Sequence, residues 1–247
     1  MNLLINYEVY TTQKDGNLES ENEDACWPSN SNTFFQTGLS CAISDGATQT
    51  IFSKLWANLL VKSISYSYPL RKPENLQRVI DCATNNWNIE IKKKSLAWNQ
   101  EEKVKQGASA TLTWLKITNR ECRVLSIGDS NLFIFRDKKL SFPFPISNSH
   151  QFSNHPFLIS SCYRNNQNIE KHLRFRQWDW KPGDVIVMAT DALSCYLLTE
   201  HEECKDIFKI TTSIKKNFVE KIIELRSQRK IKNDDTTMIF LQILDFQ

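Results

Sequence analysis

The sequence lacks several features that would place it in other classes of protein. Its seven cysteines are scattered and include no C-x-x-C pair, which favours free thiols in a reducing compartment over a disulfide framework. The four histidines show no spacing typical of metal ligands. No apolar run approaches the ~18 residues that a membrane span needs, and the N-terminus lacks the basic start and long apolar core of a signal peptide. We therefore expect a cytoplasmic protein without a membrane partner.

The sequence also lacks a large surplus of charge of either sign. Its formal net charge of +3 at pH 7 is too small to indicate a nucleic-acid partner. With 247 residues, 40% of them apolar and 24% charged, the chain can bury one sizeable core as an ordinary soluble protein. No internal repeat, linker or low-complexity block divides it. We expect a single domain over residues 1–247.

What the sequence does contain is acidic residues at the ends of short apolar runs. The runs that lead into Asp45 and Asp191, and the run that follows Asp234, are rich in β-branched residues and predict buried strands. If two strands end in an acid and an antiparallel neighbour begins with one, the carboxylates meet at one edge of the sheet. Carboxylates this close repel one another and take up protons unless a cation lies among them. The pattern therefore indicates a metal site made of oxygen ligands.

Strands and helices are predicted in mixed order along the chain. Thr48 is predicted to cap the first helix. Pro73 is predicted to lie just inside the start of the second, which reaches about residue 105 as one helix or two. A further helix is expected near residues 214–226. Residues 141–172 show little periodicity and are expected to form an irregular, flap-like segment. Strands are predicted at residues 3–10, within 33–44, and at 108–117, 122–127, 131–136, 173–178, 185–189 and 236–243.

Six short motifs follow one another along the chain. They are Asn22-Glu23-Asp24, Asp45-Gly46, Gly107-Ala108-Ser109-Ala110, Gly128-Asp129-Ser130, Ala189-Thr190-Asp191-Ala192 and Asp234-Asp235-Thr236-Thr237. Each motif is weak by itself, but six of them in order across one domain length are a strong signal. The series resembles the metal-dependent protein phosphatases (the PPM or protein phosphatase 2C family) over about residues 5 to 245. The residues after Asp45 are similar to a divergent, mostly bacterial branch of that family.

The resemblance implies an α+β fold in which a central antiparallel β-sandwich is flanked by α-helices in four layers, αββα. It also implies two divalent metal ions at one end of the sandwich. Asp45 is expected to bridge both ions, and the carbonyl of Gly46 helps to hold one of them. Asp191 and Asp234 are expected to complete the shell of the other ion.

The remaining members of the implied site are less direct ligands. Glu23 and Asp24 are expected to act mainly through metal-bound waters, and Asp129 is expected to hold a weaker third ion together with Asp191. Oxygen ligands without His or Cys suit Mg²⁺ or Mn²⁺ rather than Zn²⁺. Two such ions ~3.5–4 Å apart lower the pKa of a bridging water and position a phosphoryl group for its attack. Catalysis is expected to depend on Asp45, Asp191, Asp234 and Asp24.

The function implied by the resemblance is hydrolysis of phosphoserine or phosphothreonine in a protein substrate, with a partner kinase that adds the phosphate. Two alternatives stay open at this point. One is a catalytically weak pseudophosphatase that acts as a phosphoprotein-binding or regulatory module. The other is a hydrolase for a small phosphoester.

The sequence departs from the family pattern at three places. The family usually has an arginine that grips the substrate phosphate five residues before the Asp of N-E-D, and Glu19 occupies that position here. Lys14 is the nearest cation in the sequence and is expected to bind the phosphate in its place. The usual glycine after Asp191 is Ala192, which fits if its φ is negative. The segment 141–172 is also unlike the common flap.

Overall fold

The computed structural model of the chain describes residues 2–30, 33–35, 38–66, 75–153 and 155–246. Within these ranges, antiparallel strands form two large sheets. The strands are β1 (Asn2–Thr12), β2 (Ala25–Trp27), β3 (Thr33–Phe35), β4 (Leu39–Ser44), β5 (Ser109–Ala110), β6 (Leu112–Ile117), β7 (Cys122–Ile127), β8 (Asn131–Arg136), β9 (Lys139–Phe144), β10 (Ile159–Ser160), β11 (Arg174–Trp178), β12 (Val185–Ala189) and β13 (Thr236–Phe246).

Helices connect the strands and cover the sheets. They are α1 (Ser53–Tyr66), α2 (Leu76–Lys92), α3 (Trp98–Gln106), α4 (Ile169–His172), α5 (Asp191–Glu202), α6 (Ile207–Lys216) and α7 (Phe218–Ser227). None of the helices in the described part of the chain combines the length and apolar content needed to cross a bilayer. The seven cysteines all lie in the described residues and are free, as predicted.

The order of the strands brings several strand ends to one end of the molecule. The larger sheet has the order β3-β1-β13-β12-β8-β9 and the facing sheet the order β11-β7-β6-β4-β2, and their described pairings are all antiparallel. β5 and β10 form a short separate pair. Because Ala189 of β12 pairs with Met238 of β13, the end of β12 lies beside the start of β13. In the facing sheet, Ser44 at the end of β4 pairs with Ala25 at the start of β2.

Alternate residues of the two sheets face one another and form the central core. Ile5 of β1, Ile186 of β12 and Leu241 of β13 belong to the same buried cluster as Ile43 of β4 and Leu115 of β6. This is the period-two burial expected of strands with one face turned inward. The two sheets therefore form a β-sandwich.

Helices bury the outer face of each sheet. Trp56 of α1 shares a buried cluster with Trp114 of β6, and α2 joins the same layer. On the opposite side, Leu197 of α5 shares a cluster with Phe133 of β8, and α6 and α7 complete that layer. The predicted αββα fold is confirmed.

The prediction that Thr48 caps the first helix is wrong, because α1 begins at Ser53. The backbone N–H of Thr50 donates to the carbonyl of Ala47 over 2.9 Å, which closes a turn. Phe52 then adopts a left-handed conformation, with φ of 56°. Threonine favours turns as well as helix caps, and here the turn is formed. The predicted start of the second helix at Pro73 lies outside the described residues.

The segment 141–172 is more regular than predicted. Strand β9 extends to Phe144, and β10 and α4 also fall within the segment. Pro143 lies in β9 and lowers its strand signal, but β9 is an edge strand of the larger sheet, where a missing backbone N–H is tolerated. The proline content alone therefore does not indicate a loop here.

The helices were predicted incompletely. The stretch that reaches residue 105 is broken into α2 and α3, and residues 214–226 belong to two helices, α6 and α7, that meet at Asn217. Helix α5 was not predicted, because residues from Leu193 to Glu200 are buried on most of its faces. A helix that is buried in this way shows little polar–apolar periodicity.

We predict that Ile186→Ala destabilises the protein by about 2–5 kcal/mol, because it opens a cavity between the two sheets. Ile186 is 0% exposed, whereas Ile89 on α2 is 52% exposed. Ile89→Ala makes the same chemical change on the surface and is the matched control. Urea unfolding of both variants measures the difference. Equal losses of stability would contradict the assignment of Ile186 to the core.

Candidate metal centre

The predicted metal-binding acids follow or precede strands that end on the same side of the sandwich. Together with neighbouring residues they line a cavity of about 420 Å³. The predicted site residues in its wall are Asp45, Gly46, Asp129, Asp191 and Asp234. The strand topology explains this gathering, since the acids flank β4, β7, β12 and β13 at adjoining ends. The predicted metal ligands thus share one cavity wall.

Burial and mutual repulsion disfavour the charged form of these carboxylates. Burial raises the pKa of Asp45 well above its usual value, and the charges of Asp24, Asp191, Asp234 and Asp129 raise it further. Burial, again with help from Asp191, raises the pKa of Asp129 to about 7. A cation among these groups would favour their ionised form. The electrostatics therefore fit a cation-binding site.

Asp24 and Glu23 lie beside the cavity and are not among the residues that line it. Asp24 Oδ2 accepts a hydrogen bond from the Thr190 hydroxyl over 3.1 Å, and Glu23 Oε1 accepts one from Ser53. The second carboxylate oxygen of each acid is buried and has no hydrogen-bond partner among the described residues. Burial also raises the pKa of Asp24 well above its usual value, with further contributions from Asp235 and Asp191. Buried polar atoms without partners are uncommon, and hydrated cations would satisfy both.

The carboxylates approach one another without forming a closed cage. Among the residues that the structure describes, no three side chains of His, Cys, Asp or Glu converge closely enough to form a ready-made metal site. The pKa of Asp45 nevertheless responds to four other acids, so the carboxylates are within electrostatic range of each other. Binding a cation would require them to close in.

A lysine that the sequence analysis missed lies between two of the acids. Lys232 Nζ is 2.6 Å from Asp234 Oδ2 and 3.5 Å from Asp191 Oδ2. Burial alone lowers the pKa of this ammonium, but Asp234 and Asp191 hold it above its usual value. Burial raises the pKa of Asp191, which Lys232 partly offsets. Lys232 is therefore a cation supplied by the chain itself to the acid cavity.

Thr111 connects the loops that carry Asp45 and Asp129. Its hydroxyl accepts a hydrogen bond from the Asp45 backbone N–H over 2.9 Å and lies 2.9 Å from the Ser130 hydroxyl. Its own N–H donates to the Asp45 carbonyl over 2.9 Å. The strand predicted over residues 108–117 is interrupted at this residue, between β5 and β6. This break places Thr111 between the two acidic loops.

Two glycines permit close backbone approaches at the same place. A Cβ on Gly46 would lie 2.8 Å from the carbonyl oxygen of Glu23, and one on Gly128 would lie 2.6 Å from Cγ2 of Thr111. Gly128 also has a φ of +99°, which L side chains rarely adopt. Larger residues at these positions would push the acidic loops apart.

Asp235 and Arg226 support the site through the backbone. The Asp235 carboxylate accepts hydrogen bonds from the N–H groups of Lys14 (2.8 Å) and Glu23 (2.7 Å). Arg226 of α7 donates to the carbonyls of Gln13 (2.8 Å) and of Asp234, the latter over 2.6 Å. Both residues tie the segment before β13 to the loop after β1. Arg226 was missed because its contact is to backbone atoms, which leave no sequence signal.

The structure does not bring Lys14 to the acid cavity. Lys14 and Glu19 line a different cavity of about 380 Å³, which Arg226 also borders. The phosphate-binding role of Lys14 thus stays a prediction that this placement does not support. Ala192 lies in the first turn of α5 and is not among the residues with positive φ, so the methyl group fits as expected.

Comparison with known proteins identifies the family. The geometry is that of a four-layer αββα sandwich with an acidic cavity at one end. A family model described as protein phosphatase 2C matches residues 19–224. That match covers most of the sequence, and the chain therefore belongs to the protein phosphatase 2C family. No curated protein matches the chain significantly in sequence.

Several solved structures are similar to this chain. The catalytic domain of the serine/threonine protein phosphatase PstP, in complex with two manganese ions, has a TM-score of 0.61 and 14% identity, covering 98% of this chain and 100% of that one. The serine/threonine phosphatase Stp1 from Staphylococcus aureus has a TM-score of 0.59 and 11% identity, and the match covers 97% of this chain and 95% of that one. RsbX in complex with magnesium has a TM-score of 0.55 and 19% identity, and the match covers 98% of this chain and 100% of that one. At these identities the similarity establishes the fold alone.

We predict that Lys232→Gln tightens Mn²⁺ binding and lowers the melting temperature measured in EDTA. The substitution removes a competing ammonium and also the charge that partly neutralises Asp191 and Asp234. Because the lysine side chain is 61% exposed, we expect a change of less than about 1 kcal/mol, which corresponds to a few-fold in affinity. Lys230→Gln is the matched control. Weaker metal binding by Lys232→Gln would contradict competition between Lys232 and the metal.

We predict that Gly128→Ala destabilises the protein more than Gly183→Ala does. Both glycines have positive φ, at +99° and +87°, but a Cβ on Gly183 meets no atom within 4 Å. Gly183→Ala should cost about 1–2 kcal/mol from backbone strain, whereas Gly128→Ala adds about 1–3 kcal/mol from the clash with Thr111. Urea unfolding compares the two. The clash is not significant if both variants lose the same stability.

Proposed function

We propose that this protein is a protein serine/threonine phosphatase that depends on two divalent ions, Mn²⁺ or Mg²⁺. The main support is the acidic cavity, in which burial together with neighbouring carboxylates raises the pKa of Asp45, Asp129 and Asp191. Membership of the protein phosphatase 2C family supports a metal-dependent phosphatase, and hence a hydrolase. The proposal adds the class of metal and the phosphoprotein substrate.

The donor set fits hard divalent cations. The cavity wall offers carboxylate oxygens, and Glu23 and Asp24 each add a buried oxygen that has no hydrogen-bond partner in the described part of the chain. Oxygen-only sites of this kind suit Mg²⁺ and Mn²⁺. Two of the similar structures were solved with manganese or magnesium, which supports the same choice here.

The residues divide the work according to their positions. Asp45, Asp191 and Asp234 would hold the two ions, with the Gly46 carbonyl as a further ligand. Glu23 and Asp24 would act through metal-bound waters, and Asp129 would hold a weaker third ion with Asp191. When bound, divalent ions neutralise charge on a phosphoryl group and lower the pKa of an attacking water.

The chain's own residues keep these groups in position. Thr111 holds the backbone of Asp45 through two hydrogen bonds, and Arg226 holds the carbonyl of Asp234. Pre-positioning of this kind lowers the reorganisation needed during the reaction. Lys232, which lines the cavity, is better placed than Lys14 to meet the substrate phosphate.

One observation favours the pseudophosphatase alternative. The position at which the family usually has a phosphate-gripping arginine is occupied by Glu19, which borders the other cavity together with Lys14. A chain without that cation could bind metal and phosphoprotein yet turn over slowly. Because the metal-binding acids are all present, we favour the active enzyme.

The test is hydrolysis of p-nitrophenyl phosphate and of a phosphothreonine peptide by the metal-loaded protein. We expect turnover that requires Mn²⁺, is lost in EDTA and falls by at least about 100-fold in Asp191→Asn, because a charge that neutralises the metal–phosphoryl assembly is removed. Asp179→Asn is the matched control, since Asp179 is exposed and does not line the acid cavity.

Each other outcome points to a different function. Turnover that persists in EDTA, or full activity of Asp191→Asn, would overturn the proposal. Mn²⁺ binding by calorimetry without turnover of either substrate would favour the pseudophosphatase. A strong preference for small phosphoesters over phosphopeptides would favour the small-molecule hydrolase.

A further inference from the structure

A second cavity adjoins the acid cavity. It has a volume of about 260 Å³, and Asp129, Ser153 and Pro156 border both spaces. Its remaining wall includes Arg174 and His172. Gly128 and Asp129 of this wall belong to one of the sequence motifs, whereas Arg174 belongs to none. The shared border means that a chain bound in one cavity can extend directly into the other.

The basic wall of this second cavity is built on ordered structure. Arg174 is the first residue of β11 and pairs with Ser126 of β7. One of its terminal nitrogens donates to the carbonyls of Lys171 (2.8 Å) and Leu173 (3.2 Å). These contacts hold one side of the guanidinium and leave its other donors without a partner in the described residues. The cation is therefore positioned but not neutralised.

The neighbouring histidine is also held in place. The His172 ring stacks on Phe157 with centroids 3.8 Å apart and an angle of 5° between the rings. Phe157 belongs to the same cavity wall. Neither His172 nor Arg174 forms an ion pair with a carboxylate in the described part of the chain. The wall thus offers hydrogen-bond donors to an anion.

We propose that this second cavity is a substrate subsite that takes an acidic side chain of the phosphoprotein, with Arg174 as its main contact. The inference rests on the proposed phosphatase function, because it places the phosphorylated residue in the acid cavity. A carboxylate forms charge-assisted hydrogen bonds with a guanidinium. The subsite would select substrates that carry Asp or Glu close to the phosphorylated residue.

The size and position of the cavity set which acidic residues can reach it. The two cavities share a border, and an extended peptide advances only about 3.3–3.6 Å per residue. Acidic residues close to the phosphorylated residue are therefore the ones that can reach the second cavity. The site is polar and open, with Arg174 exposed to solvent. We therefore expect a selectivity of several-fold and not more, because solvent screens the attraction between exposed charges.

The experiment compares two pairs of phosphothreonine peptides on the metal-loaded full chain. In the first pair, one peptide has Glu and the other has Gln at the three positions before the phosphothreonine. In the second pair, Glu and Gln occupy the three positions after it. For at least one pair, wild type should show a several-fold higher kcat/KM for the Glu peptide, expressed mainly in KM. Arg174→Gln should remove this preference. Each kcat/KM is divided by the rate of the same variant on p-nitrophenyl phosphate. This ratio separates an effect on peptide binding at the subsite from an effect on hydrolysis itself.

Arg176→Gln is the matched control, because Arg176 lies on the same strand but its guanidinium lies 3.6 Å over the Phe142 ring, outside this cavity. It should keep the preference for the Glu peptide. Arg174→Glu should reverse the preference, so that this variant has a higher kcat/KM for a peptide that carries Lys in place of Glu than for the Glu peptide. Equal kcat/KM for Glu and Gln peptides in wild type, or an unchanged preference in Arg174→Gln, would overturn the subsite.

Peptide binding distinguishes failure of the subsite from failure of the proposed function. If wild type hydrolyses neither p-nitrophenyl phosphate nor any peptide, the phosphatase proposal fails, and fluorescence anisotropy of labelled peptides then decides on the subsite. Tighter binding of the Glu peptide that Arg174→Gln abolishes would support it. Equal binding of the two peptides would reject it.

Discussion

Electrostatic repulsion among carboxylates at one end of the β-sandwich is the constraint on which the rest of the structure depends. Removing ionised carboxylates from water is costly unless they are paired or bound to a cation, and Asp45 is half-buried with several other carboxylates around it. The surrounding scaffold must hold these groups near each other against that repulsion. Two contacts do so on two sides of the cavity: the Asp45 backbone N–H donates to the Thr111 hydroxyl, and the Arg226 guanidinium donates to the Asp234 carbonyl.

Adjacent acids in the sequence serve opposite purposes in this scaffold. Asp234 faces the cavity and contacts Lys232, whereas Asp235 turns to the backbone N–H groups of Lys14 and Glu23. The pair lies directly before β13, and the backbone N–H of Asp234 donates to the carbonyl of Lys232 over 3.0 Å, so the chain turns at this point. One carboxylate is thereby available to a ligand while the next holds the chain together.

The sequence was sufficient to predict the residues whose position follows from strand order. Asp191 follows β12 and Asp234 precedes β13, so the antiparallel pairing of these strands brings the two acids together. Packing of the two sheets then places Asp45, which follows β4, at the same end. The αββα fold followed from the same motifs through their resemblance to a family. Helix α5 was not predicted, because burial on most of its faces removes the periodic signal.

Residues that act through tertiary contacts could not be found in this way. Lys232 contacts the Asp234 carboxylate, and Arg226 of α7 donates to the Asp234 carbonyl. Neither residue belongs to a motif. Lys14 was chosen for its nearness in sequence to Glu19, but both border another cavity. Nearness along the chain is a poor guide to which cation faces a site, because long side chains on loops can point in several directions.

The position of β13 has a consequence for how the protein folds. β13 is the last strand in the chain, yet it lies inside the larger sheet, between β1 and β12. Its pairing with β1 joins residues as far apart as Asn2 and Phe246. Closing so long a loop precedes any gain from the contacts it makes, which slows folding. Formation of the complete larger sheet depends on this long-range pairing, and the same strand brings Asp234 beside the end of β12.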